Sequence, residues 1–243
     1  MLAKIKLEHS KSKEIYGAPR IERELRKQDI RTSIKRVNRL MISAGIRSKR
    51  HKKFVATTNS NHNLPVSANI LNQNFTSVRP MEVVTSDITY IPTKQGWLYL
   101  SVVLDVFNRE ILSWKTDNTL KKELVYEAVE KALKHREKKE YMIFHSDRGV
   151  QYASNDVRKL LKDNKVVQSM SRKGNCYDNA ITETFFKTLK TELIYHKTYE
   201  TREEAELDIF NYIELFYNRK RLHSSLGFKS PVDFKNEYYL SKK

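Results

Sequence analysis

"EVVTSDITYIPTKQGWLYLSVVLDVFNREILSWKTD", residues 82–117, contains three runs rich in β-branched and aromatic residues, at 82–91, 96–106 and 110–117. Such runs favour a pleated, half-buried surface, and the short links between them predict three sequential antiparallel strands. Beyond them, "KKELVYEAVEKALKHRE" (121–137) spaces Leu124, Ala128 and Leu133 as a helix does. "YMIFHSD" (141–147) then reads as a short apolar strand, "ASNDVRKLLKDN" (153–164) as a capped helix and "VVQSMS" (166–171) as a brief strand. Helical patterns follow from near Asp178 and over 202–218. Strands in series followed by helix–strand–helix–strand predict an α/β protein, with a mixed sheet covered by helices.

Upstream the character changes. "PRIERELRKQ" (19–28) starts on a proline suited to a first helical turn, and "IKRVNRLMISA" (34–44) has Ser33 as a cap and Gly45 as a stop. The second pattern places Ile34, Val37, Leu40 and Met41 on one face and leaves Lys35, Arg36 and Arg39 on the polar side. Two short helices with a tight connection predict a small all-α helix-turn-helix domain over residues 1–50. Residues 51–77, rich in Asn and without helical period, read as a connector lying along a following domain at 78–243.

The formal charge is +17, concentrated at one end. Residues 1–55 carry 17 Lys and Arg against 5 Asp and Glu, while the other 188 residues carry 29 against 24. A basic block joined to a nearly balanced body suggests a nucleic-acid-binding arm on a working domain. With 39% hydrophobic residues the chain can build a core, so it is not a disordered basic tail. One cysteine excludes an internal disulfide framework, and the seven histidines form no close pair at zinc-ligand spacing. No stretch reaches the roughly 18–20 consecutive apolar residues of a membrane span. The opening "MLAKIKLEHSKSKEIYG" lacks the apolar block of a secretory signal. A cytoplasmic bacterial protein working at the nucleoid is the expectation.

Three acids stand in odd places. Asp87 interrupts a strand, Asp147 ends one, and Glu183 lies on the helix "DNAITETFFKTLKTELI". Helical spacing puts Asn179, Lys187 and Lys190 on the Glu183 face, with Ile181, Phe185 and Leu189 turned to a core. Taken singly, each acid fits another reading: a bulge acid, a loop cap, half of a surface Glu–Lys pair. Asp105 occupies an equally strand-like position, and Asp178 reads as a helix cap, with Asn175 as the other candidate.

Resemblance decides among them. "SDITYI", "GWLYLSVVLDVFNREILSW", "FHSDRGVQYAS", "SMSRKGNCYDNAITETFFKTLKTE" and "YNRKRLHSSLGFKSPVDF" strongly resemble bacterial insertion-sequence transposases of the retroviral-integrase-like superfamily. The likeness runs from "YGAPRI" to "PVDF" and is greatest to the downstream product of elements encoded in two overlapping frames. It implies a ribonuclease-H-like fold and an Asp-Asp-Glu triad with 35 residues between its second and third acids. Asp147 and Glu183 enclose 35 residues, 148–182, so the triad by resemblance is Asp87, Asp147 and Glu183, and Asp105 matches a position outside it.

The same resemblance implies two Mg²⁺ or Mn²⁺ ions on the three carboxylates, cleavage of DNA at element ends, and transfer of the 3′-hydroxyl into target DNA. Arg148, Asn179, Lys187, Lys190, Arg219 and Arg221 are then expected, with Lys35, Arg36 and Arg39, to contact DNA. His223 is expected to be structural, and Gly149 to let the backbone turn. The implied partners are terminal inverted repeats and target DNA, a second copy of the chain, and the upstream-frame product. A plain ribonuclease-H-like nuclease and a non-catalytic DNA-binding repressor from a degenerate element remain the alternatives. Val84 and Ser113 stand where the family has Trp and Gly, positions that bear on packing.

Overall fold

The computed structural model describes residues 1–49, 64–136, 140–173 and 175–242. The connector expected over 51–77 therefore lies outside the described residues as far as position 63. Strands β1 (Val83–Thr93), β2 (Gly96–Asp105) and β3 (Ile111–Asp117) form the antiparallel meander. Gly96, at φ +103°, closes the first hairpin in a conformation that a side chain would strain. Strand β4 (Ile143–Ser146) runs parallel to β1, and β5 (Val167–Met170) parallel to β4, giving the order β3-β2-β1-β4-β5.

The alternation in β2 shows how the sheet is covered. Leu98, Leu100, Val102 and Leu104 enter one apolar cluster and Val103 enters another, as a period of two requires. Helix α4 (Lys122–Lys134) lays Val125, Ala128, Val129 and Ala132 on the Val103 side, a stripe at i, i+3, i+4 and i+7. The short α5 (Val150–Ala153) and α6 (Asn155–Asp163) complete that layer with Tyr152, Val157 and Leu161. The opposite face is covered by α7 (Ala180–Glu192) and α8 (Arg202–Phe210), through Phe185, Leu189 and Ile209. Helix α8 runs on into a π-helical stretch, Asn211–Tyr217, and α9 (Pro231–Leu240) closes the described chain.

Three N-terminal helices, α1 (Leu2–Lys11), α2 (Ala18–Lys27) and α3 (Ile34–Ser43), share the α7–α8 cluster. Ser33 caps α3, its Oγ accepting from the Arg36 amide, and Gly45 ends it at φ +68°. The helices are bonded to the C-terminal segment. The Tyr16 hydroxyl donates to the Lys220 carbonyl (2.9 Å) and accepts from the Leu222 amide (3.0 Å), while Arg20 Nε donates to the Leu222 carbonyl (2.9 Å). Helix α1 has no counterpart in the sequence reading, because it buries only Ile5 and Glu8, too few positions to show a period. Among the described residues no helix is long and apolar enough to cross a membrane.

Candidate active site

The parallel register of β1 and β4 brings two of the acids together. Thr85 pairs with His145, so Asp87, still within β1, and Asp147, the first residue beyond β4, each stand two residues past that pair on neighbouring strands. Thr85 and Asp87 point to the same face of β1, and the Thr85 hydroxyl meets that of Thr182 at 2.7 Å. Helix α7 therefore crosses β1 on the Asp87 face, with Glu183 next to its anchor. Asn179 Nδ2 adds a second tie, donating to the Ser86 carbonyl at 3.1 Å.

Each aspartate is oriented by a backbone amide. Asp87 Oδ1 accepts from Ile88 (2.8 Å) and Asp147 Oδ1 from Gly149 (2.9 Å). Gly149 has φ −58°, so it makes no left-handed turn. Its requirement is room: a Cβ there would stand 3.0 Å from Asp147 Oδ1 and 3.2 Å from Gln151 Oε1. Below the aspartates, His145 bonds Ser169 and Ser171 through its two ring nitrogens, and burial pushes it down to about 4, so it stays neutral. The Tyr152 hydroxyl shares a hydrogen bond with Ser86 (2.8 Å) beneath Asp87. No local sequence signal marks Tyr152 for that position.

Burial raises the Asp87 carboxyl well above its ordinary value, and the charges of Asp147 and Glu183 raise it further. The Ile88 amide and Lys190 act the other way. Desolvation also raises Glu183. Crowded carboxylates of this kind suit a divalent cation, which favours the charged forms. Among the described residues no three His, Cys, Asp or Glu side chains stand as a ready-made metal cage.

The basic residues divide into two groups. Lys35, Arg36 and Arg39 are exposed on α3, Lys187 on α7, and Arg219 beyond the π-helical stretch. Arg148 is half-buried, its Nε donating to the Ser171 carbonyl. Asn179, Lys190 and Arg221, expected as surface contacts to DNA, are buried instead. Helix α7 starts at Ala180, so Asn179 lies outside its helical spacing and serves as the tie to Ser86. Lys190 is 5% exposed because the hairpin end of β1 covers the last turn of α7. Its Nζ lies 5.5 Å from the Tyr90 ring centre, and burial pushes it down to about 8.

Arg221 pairs with Glu192, Nε at 2.8 and 3.1 Å and Nη2 at 2.6 Å. His223 is buried, packed edge-on against Tyr217 with ring centres 4.8 Å apart. Asp178 is no helix cap. Arg172 holds its carboxyl far below the usual range, and Asn69 (2.9 Å) and Gln73 (2.8 Å) also donate to it. The cap of that turn is Asn175, which accepts from the Tyr177 amide. Asp105 sits at the far end of β2, paired with Val84, and accepts from the amides of Met81 (2.8 Å) and Phe107 (2.9 Å). It shapes the β2–β3 turn, away from the Asp87–Asp147 pair.

A meander of three strands extended by two parallel ones, with helices on both faces, is the ribonuclease-H-like core of polynucleotidyl transferases. The Integrase core domain family matches residues 77–176 and, in a second form, 183–238, and an HTH-like domain matches 1–54. The Shigella sonnei "Insertion element IS600 uncharacterized 31 kDa protein" is 44% identical over 235 residues, 97% of this chain and 86% of that one. The Escherichia coli K12 "Transposase InsF for insertion sequence IS3A" is 41% identical over 228 residues, 94% of this chain and 79% of that one. Among solved structures, a chain of the simian T-cell lymphotropic virus intasome in complex with PP2A regulatory subunit B56 gamma superposes at TM-score 0.55. It shares 14% identity over 96% of this chain and 74% of its own. The HTLV-2 integrase catalytic core in complex with magnesium superposes at 0.50, with 13% identity over 66% of this chain and 99% of its own. These two likenesses speak for the fold alone. The chain belongs to the bacterial insertion-sequence transposases of the integrase superfamily, and it is a DNA transposase.

Proposed function

We propose that the chain cleaves DNA at the ends of its insertion sequence and joins the freed 3′-hydroxyl to target DNA, with Asp87, Asp147 and Glu183 as the catalytic carboxylates. The observation that carries this reading is the shared register of β1 and β4, with α7 docked on the same face through Thr182 and Thr85.

The three carboxylates offer hard oxygen donors of the kind Mg²⁺ and Mn²⁺ take, and the repulsion at Asp87 is what a cation relieves. A pair of such ions supplies activation of the attacking oxygen and stabilisation of the leaving oxygen. The chain's own part is orientation. The Ile88 and Gly149 amides fix the aspartates, Thr182 and Asn179 hold α7 to β1, and Lys187 stands exposed one turn from Glu183 to meet a phosphate. Water attacks first and the 3′-hydroxyl second, so no side-chain nucleophile is needed.

In this reading residues 1–50 recognise DNA through Lys35, Arg36 and Arg39, and residues 78–243 carry the chemistry. The partners are terminal inverted repeats, target DNA and the upstream-frame product, in the bacterial cytoplasm. Two ends must be handled together, which calls for at least a dimer on DNA. Incubation with labelled element ends, target plasmid and Mg²⁺ tests the reading. Joined strands are expected. Cut but unjoined ends would reassign the chain as a nuclease, and binding with neither reaction as a repressor.

A further inference from the structure

Arginines from three separate parts of the chain line one cavity of about 390 Å³. Arg20 comes from α2, Arg109 from the β2–β3 turn and Arg221 from the segment after the π-helical stretch, while Thr184, Thr188 and Ser225 add hydroxyls to its wall. The positive charge is poorly matched. Glu192 pairs with Arg221, accepts from the Tyr212 hydroxyl (2.6 Å) and lies 3.9 Å from Arg20. Arg109 feels Asp105 at longer range, but that carboxylate already accepts from two amides. Arg109 Nη1 is buried with no hydrogen-bond partner among the described residues. His223 registers the same excess, pushed down to about 2 by burial and then by Arg221, Arg20 and Arg109.

A buried cationic donor without a partner is costly, and planar guanidinium forks match the oxygens of a phosphate. The position indicates where that phosphate comes from. Thr184 and Thr188 each follow, by one residue, the exposed Glu183 and Lys187 on α7, about 100° further round the helix. Thr184 and Thr188 thus set one wall of the cavity beside the exposed Glu183–Lys187 stripe of α7.

We propose that this cavity is a phosphate pocket that takes a backbone phosphodiester of the DNA strand engaged at the catalytic carboxylates. The inference rests on the strand-binding part of the proposed function and is separable from its chemistry. Binding of the full chain to a fluorescent 30-base-pair duplex is measured by anisotropy across a KCl series for wild type, R109Q and S225E. Ser225 is exposed, so a carboxylate there repels phosphate without burdening the core.

The expected result is binding weakened about three- to tenfold by either variant. R109Q should also lose about 0.9 from the slope of log K against log salt, the share of one phosphate. Inorganic phosphate at constant ionic strength should raise the melting temperature of the wild type and not of R109Q. Wild-type affinity and slope in both folded variants would overturn the proposal. A phosphate-dependent melting shift without any change in duplex binding would overturn it too, reducing the pocket to a free-anion site. If R109Q does not fold, S225E decides. Weakened duplex binding in the variants together with a wild type that cuts without joining would leave the pocket standing and the transfer reaction refuted.

Discussion

Replacing Glu192 by Gln should cost about 3–5 kcal/mol of folding stability, because it strands a cation inside the protein. Arg221 and Glu192 have side chains only 8% exposed each, joined by contacts of 2.6–3.1 Å, and the Tyr212 hydroxyl donates to the same carboxylate at 2.6 Å. In Glu192→Gln the amide keeps one acceptor oxygen, while Arg221 loses its counter-charge with little access to water. At about 2–4 °C per kcal/mol for a chain of this size, the melting midpoint should fall by roughly 6–20 °C. Arg221→Met should be comparably damaging, since it leaves the carboxylate buried instead. The double variant holds neither charge, so its cost should fall short of the sum by about 2–3 kcal/mol. Urea unfolding followed by circular dichroism measures all three. A loss under about 1 kcal/mol in Glu192→Gln, or strict additivity, would refute the buried pair and return Arg221 to the surface cations.

Other consequences follow from single contacts. Gly149→Ala places a Cβ 3.0 Å from Asp147 Oδ1; displacing that carboxylate should slow single-turnover cleavage about 10²-fold with duplex binding unchanged, and wild-type rates would remove the close approach from the account. His223, held at about 2, stays neutral in the fold but takes a proton near 6.5 when unfolded. Its contribution is therefore present above pH 6.5 and lost below it, by about 2 kcal/mol at pH 5. His223→Gln should remove about half of the histidine-driven fall in urea midpoint between pH 7 and 5, buried His145 supplying the rest, and parallel profiles would contradict this. Asp105→Asn sets an amide N–H against the Met81 or Phe107 amide and should cost about 1–3 kcal/mol in urea unfolding, with cleavage by the folded protein unchanged.

The strands of the meander were legible because β-branched runs and short links carry their own signal, and α4 because its apolar stripe is continuous. Asp87 and Asp105 could not be ranked from local pattern, since both interrupt similar strands. The register separates them, setting Asp87 opposite Val102 and Asp105 at the strand end opposite Val84. Asn179, Lys190 and Arg221 look like surface residues by type, and their burial depends on Ser86, Tyr90 and Glu192, tens of residues away. The same holds for Asp178, whose donors Asn69 and Gln73 lie in a segment that has no period to read. Position along a helix predicts which residues share a face. It does not predict which part of that face a strand will cover, and the Glu183–Lys190 stripe is open at one end and roofed by Tyr90 at the other.

Three carboxylates acting as one site are the centre of the proposed chemistry. Its most direct measurement is Mg²⁺-dependent end cleavage and strand joining by Asp87→Asn, Asp147→Asn and Glu183→Gln, beside duplex binding by the same preparations. The prediction is that each variant binds DNA as the wild type does and neither cuts nor joins. Cleavage or joining at the wild-type rate by any one of the three would contradict the assignment.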